Sequence, residues 1–199
     1  MSIYSNPNNL IIPNPVGLDV AIVELQRAIA TLPYITASFG RARTHKETVN
    51  GDIVTLPKVY QGEREYYNPM PNGNFVSSTF MVATGPEKCE DYQQFGQNDL
   101  ERDIAIIFWG DLSQIDNAKD YIFLEEIKED LLKAIKYCKC FKSYNGYIDE
   151  KYSEVFKEFT SYISSQSRDT SNAEITTQYL MYPYSGFRMN LTLTYTQEC

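Results

Sequence analysis

The chain contains one histidine, His45, set in the run Arg41-Ala-Arg-Thr-His-Lys46. A serine triad, a cysteine–histidine pair or an imidazole-ligated metal would all have to be built on that one ring. A general base also needs a second group to orient it. No Gly-x-Ser-x-Gly elbow, His-x-x-x-His pair, Gly-x-x-x-x-Gly-Lys phosphate loop or Gly-x-Gly-x-x-Gly turn occurs in the sequence. His45 is therefore expected on the surface, in a loop. Its basic neighbours Arg41, Arg43 and Lys46 suit contact with nucleic-acid phosphate or with an acidic neighbouring subunit, set against a merely solvated strand end.

Carboxylate pairs are frequent (Glu90/Asp91, Glu125/Glu126, Glu129/Asp130, Asp149/Glu150), but none adjoins an apolar run that would desolvate it. General acid chemistry usually requires that burial. Asp111, at the end of the apolar run 104–109, reads as a turn or helix-start residue. The four cysteines, Cys89, Cys138, Cys140 and Cys199, do not form the two Cys-x-x-Cys knuckles of a zinc ribbon. Met1 to Pro15 has neither a basic n-region nor an apolar h-region, so no secretion signal is expected and the thiols are expected to be reduced. No catalytic residue, cofactor or metal is predicted.

Tyrosine is the remaining signal: there are 16. Tyr60, Tyr66 and Tyr67 cluster with Lys58 and Arg64, while Tyr182 and Tyr184 precede the last strand. Tyrosine offers a large contact area at low entropic cost, so these seven positions are candidate interface residues. The net charge of −8 is unevenly placed. Residues 1–66 hold six basic and six acidic groups, and residues 67–199 hold twelve basic and twenty acidic ones. That sign lacks the footprint of a nucleic-acid binder. No apolar stretch reaches the ~18 residues of a membrane span.

Several elements must position these groups. Leu18, Ile22, Leu25, Ile29 and Leu32 mark a helix capped by Asn14-Pro15 and ended by Pro33. A strand is expected from 35 to about 43, then a tight turn at Asn50-Gly51-Asp52. Residues 58–67 and 75–84 read as two strands of a hairpin that projects from the body, and 85–102 as an acidic loop. Ile104–Trp109 reads as a central strand, 117–139 as a second helix, and Asn145-Gly146 as a turn. Residues 152–163 read as helix, with strand as the alternative. Strict alternation over Phe187–Tyr195 predicts a half-buried strand after a turn at 182–186. The expectation is an α+β fold: an antiparallel or mixed sheet, helices on one face, and a long hairpin arm. An N-terminal arm (1–15) would precede a single domain (16–199) carrying an insertion at about 140–175.

This order of elements, from the helix ending at Leu32-Pro33 to the closing Tyr182–Tyr195 segment, resembles the tail-terminator and neck-ring (head-to-tail connector) proteins of tailed bacteriophages, crAss-like phages among them. The likeness covers most of the chain as element order and carries no signature motif. It implies a structural virion protein made in the host cytoplasm and built into the neck or tail. About six or twelve identical copies would close a ring. Portal, neck or tail proteins would lie above and below, and DNA would pass through without being read. Two other classes compete: a soluble tyrosine-rich binding module, and a small hydrolase with a carboxylate site.

Overall fold

Spacings of four, three and four bring Leu18, Ile22, Leu25 and Ile29 to one side only if the chain is helical. In the computed structural model they are the buried stripe of α1 (Leu18–Ile29). The structure describes residues 11–49, 51–70, 75–91, 97–116, 123–159 and 183–198. α1 starts behind Gly17, whose φ is 55°, so Asn14 and Pro15 precede the helix instead of capping it.

Seven strands form one mixed sheet: β1 (Ala37–Val49), β2 (Asp52–Gly62), β3 (Glu65–Tyr67), β4 (Ser77–Asp91), β5 (Gln97–Asp111), β6 (Phe141–Asp149) and β7 (Tyr184–Glu198). Their order is β3-β2-β1-β4-β5-β7-β6. β1 and β4 run parallel, and the other neighbours are antiparallel. The helical segments are α1, α2 (Leu112–Asp116), α3 (Phe123–Lys136), α4 (Tyr152–Val155) and a 3-10 turn at Lys157–Phe159. The α+β class is as expected. Asp111 caps α2: its carboxylate accepts from the Ser113 N–H at 3.0 Å and the Ser113 hydroxyl at 2.6 Å.

The sheet is buried on both faces. Ile104, Ile106 and Phe108 of β5, with Phe187, Met189 and Leu191 of β7, pack beneath α1 and α3. The alternate residues Ile107 and Trp109, with Phe39 and Phe80, meet Val155, Phe156 and Phe159 on the opposite side. The helical segments thus cover both faces, not one. β7 is accordingly not half-exposed: it lies between β5 and β6, and its polar-face residues Arg188 and Asn190 are buried. The Arg188 guanidinium meets Glu158 through two bonds of 2.7 Å, and its Nε donates to Asn190 Oδ1 at 3.2 Å. Gly186 belongs to β7 and not to a turn. A Cβ there would sit 2.2 Å from both the Phe108 carbonyl and the Trp109 ring.

Residues 58–84 do not form the expected hairpin, because β1 lies between β2 and β4. The corner between β1 and β2 is the reason. It joins β1 to β2 with Val49 opposite Asp52 and Gly51 at φ 88°, so β1 takes the edge of β2 that β4 would need. The chain then returns to β4 on the second face, where Met70 and Phe75 pack. The described residues of the acidic stretch 85–102 are no loop. Most of it is the distal β4–β5 ribbon, paired from Ser77–Gly110 out to Asp91–Asp99, because backbone pairing tolerates polar side chains there. The start of the expected insertion is β6, and Asn145-Gly146 sits at a register shift within that edge strand, with Gly146 at φ 83°. Of the 152–163 segment, Tyr152–Val155 is helical and Lys157–Phe159 is 3-10. Residues 160–163, like the rest of the expected insertion to 175, lie outside the described residues.

Candidate interface site

Strand β1 decides where the basic run points. Ala37 and Phe39 belong to the second core, so strict alternation would send Arg41 and Arg43 into it as well. Between Ser38 and Arg41 the register against β4 slips, with Ser38 opposite Thr79 and Arg41 opposite Met81. That bulge inserts one residue and re-phases the strand. Gly40 and Arg41 both turn towards α1, and Arg43 and His45 follow at the next alternations. α1 is tied to the bulge: Gln26 Nε2 donates to the Ser38 carbonyl at 2.6 Å, and Ser38 Oγ donates to the Gln26 carbonyl at 3.2 Å. Gly40 fits beneath that side chain, since a Cβ would lie 3.3 Å from Gln26 Oε1.

The result is a cavity of about 210 Å³ between the first turn of α1 and strands β1–β3, lined among others by Asp19, Arg41, Arg43, Tyr60 and Tyr66. Asp19, one residue into α1, is placed where the helix dipole favours a carboxylate. It accepts from Arg41 Nη2 at 2.8 Å and lies 3.8 Å from Arg43 Nη2. Asp19 and Arg41 are mostly shielded, whereas the Arg43 side chain is 60% exposed. Tyr66 stands 5.2 Å, centroid to centroid, from both Tyr60 and His45, so an aromatic row borders the arginines. The β2–β3 corner that aims Tyr66 is a two-residue turn at Glu63-Arg64, with φ of 51° and 69°.

Four of the expected contact residues therefore meet in one place: Arg41, Arg43, Tyr60 and Tyr66. Lys58 shares their face but is held by Glu47 at 2.9 Å. Lys46 alternates to the opposite face of β1 and is separated from the two arginines by the sheet. Arg64 is exposed at the turn. Tyr67 faces the second core, where it stacks on Phe39 at 5.5 Å, and Tyr184 packs against that core too. Tyr182 lies outside the described residues. His45 is on a strand rather than in a loop. Asp19 is the member sequence reasoning missed: it belongs to an element 22 residues away from Arg41, and no local pattern joins them.

Elsewhere the structure offers little chemistry. Among the described residues, no group of three or more His, Cys, Asp or Glu could hold a metal ion. Beyond α1 a more open hollow of about 460 Å³ includes Glu24, Lys139 and Cys140. Its thiol is a poor nucleophile, because burial, reinforced by the Glu24 charge, pushes Cys140 up to about 12. Cys89, Cys138 and Cys140 are free thiols. Among the described residues, no helix is long and apolar enough to cross a membrane. Compared with known protein families, curated proteins and solved structures, the chain gives no match.

Proposed function

We propose that the chain is a structural virion protein: one copy of a ring in the neck or tail of a tailed phage, joining head and portal to tail around the DNA channel. The resemblance in element order supplies the class. The observation that carries the reading is the placement of two unlike surfaces at opposite ends of one sheet. The arginine–tyrosine cavity lies on β1–β3. The carboxylate-bearing helix α3 lies at the other end, where Lys128 of α3 pairs with Glu150 just beyond β6. A cyclic ring requires such an arrangement, since each subunit presents one face to its left neighbour and a different face to its right.

The projecting arm of this reading is the β1–β2 ribbon. β1 leaves β4 after Ala42–Val82 but stays paired with β2 out to Val49–Asp52, and Ile53 near the tip is 73% exposed. The net charge of −8 suits a channel wall that repels phosphate and lets DNA slide. The binding-module alternative draws on the same cavity, but about 210 Å³ falls below the ~300–1,000 Å³ of small-molecule pockets.

The test is mass spectrometry of purified virions, with a micrograph that traces the chain in the particle. The expected result is the chain in stoichiometric copies at the neck or tail. A chain missing from particles, or a purified sample that turns over a small molecule and stops when one acidic side chain is replaced, overturns the reading.

A further inference from the structure

We propose that the joint between copies forms when a carboxylate of α3 on one copy enters the arginine–tyrosine cavity of the next, with Arg43 as the cation that receives it. The inference rests on the ring reading and names its contact. Size limits the guest first: a cavity of about 210 Å³ has room for a side chain and falls below the ~300–1,000 Å³ of drug-sized ligand pockets. Charge limits it next. Two guanidinium groups face one carboxylate, Asp19, leaving a surplus of one positive charge. A single carboxylate cancels that surplus, whereas a phosphate dianion overshoots it.

Arg43 is the free hand. Asp19 is spent on Arg41 at 2.8 Å and only grazes Arg43 at 3.8 Å, so the exposed Arg43 fork remains open to a two-oxygen acceptor. Tyr60 and Tyr66 flank it, and arginine with tyrosine is the composition of interface hot spots.

The complementary surface is α3. Glu125 and Glu129 stand one turn apart on its outer face, with side chains 71% and 73% exposed. The Glu129–Lys133 pair is an i,i+4 contact at the surface, which exchanges at little cost; Glu125 pairs with the buried Lys128, which Glu150 also holds. Because α3 and the cavity belong to opposite ends of the sheet, one copy can give and receive at once, head to tail.

Sedimentation velocity on the full chain, with virion incorporation by complementation, tests this. Arg43→Glu blocks the receiving end and Glu125→Gln/Glu129→Gln blocks the giving end. Each variant is expected to weaken self-association at least about tenfold, with the melting temperature of Arg43→Glu at the wild-type value and that of the α3 variant lowered by a few degrees at most, since Glu150 still holds Lys128. The two variants mixed should form a one-to-one dimer and stop there, because only one competent joint remains. Raised salt should weaken the wild-type association. If both variants associate as the wild type does, the inference is overturned while the ring reading stands. If the wild type stays monomeric in solution, incorporation decides. Exclusion of Arg43→Glu from particles that accept the wild type supports the joint. Incorporation at the wild-type copy number overturns it. A chain missing from particles altogether removes the ring reading instead.

Discussion

Two arginine–carboxylate sites lie at different places on this sheet and use the same groups to opposite ends. Arg188 is fully buried, and its fork is taken up by both Glu158 oxygens, with Asn190 accepting from Nε. The guanidinium is closed off from any partner by its burial; the site fastens α4 and the 3-10 turn to β7, with Arg188 Nη1 also donating to the Val155 carbonyl at 3.4 Å. At the cavity, one Asp19 carboxylate is shared between two guanidinium groups, and the outer one is mostly in water. Burial with a two-pronged ion pair makes a lock, and partial exposure with a charge surplus makes a receptor. The cost of disturbing each site should differ accordingly, since an unpaired buried charge is penalised far more than an exposed one.

The largest effect is expected at the lock. Glu158→Ala strands a buried guanidinium and should lower unfolding stability by about 3–5 kcal/mol, read from urea denaturation. Replacing both partners by apolar residues, Arg188→Met with Glu158→Leu, should recover most of that loss. If Glu158→Ala costs less than about 1 kcal/mol, the pair is not sealed from water and the contrast between the sites collapses. Gly186→Ala tests the strand that carries Arg188. Its Cβ runs into the Phe108 carbonyl and the Trp109 ring, and a loss of about 1–3 kcal/mol is expected in the same assay.

Asp19→Asn, which weakens a mostly shielded charged hydrogen bond, should cost about 1–2 kcal/mol of stability. Because it leaves the cavity more positive, it should also tighten self-association, a combination a purely structural ion pair does not give. The smallest effect belongs to Arg43→Ala: within about 0.5 kcal/mol of wild-type stability, as for an ordinary surface substitution, with association lost. A thermal melt and a sedimentation run on one sample separate the two quantities.

The parts of the fold that could be read in advance are those with a local periodicity. The α1 stripe, the apolar β5 segment and the alternation of β7 each place their own residues, because 3.6-residue and two-residue periods directly encode which side is buried. The β4–β5 ribbon was not legible. Its outer half is polar, and its strands exist because each supplies the other's backbone partners. The hairpin was assigned to the wrong pair of strands for a related reason. The Asn50-Gly51-Asp52 run signals a turn, yet only the sheet order shows that β1 lies between β2 and β4. At the site, Arg41, Arg43, Tyr60 and Tyr66 were identifiable as types. Lys46 and Tyr67 were grouped with them although they face the other side of the sheet.

Composition and spacing by themselves determined that this chain is an acidic, tyrosine-rich α+β protein with one amphipathic helix at its start. They also set a basic run beside its single histidine. Tertiary structure alone decided which way that run faces. One extra residue in β1, locked by the Gln26–Ser38 bonds and made possible by Gly40, turns two arginines from the core towards Asp19. Register is a relation between strands, fixed by their mutual hydrogen bonds and by what packs above them, and no single strand carries it.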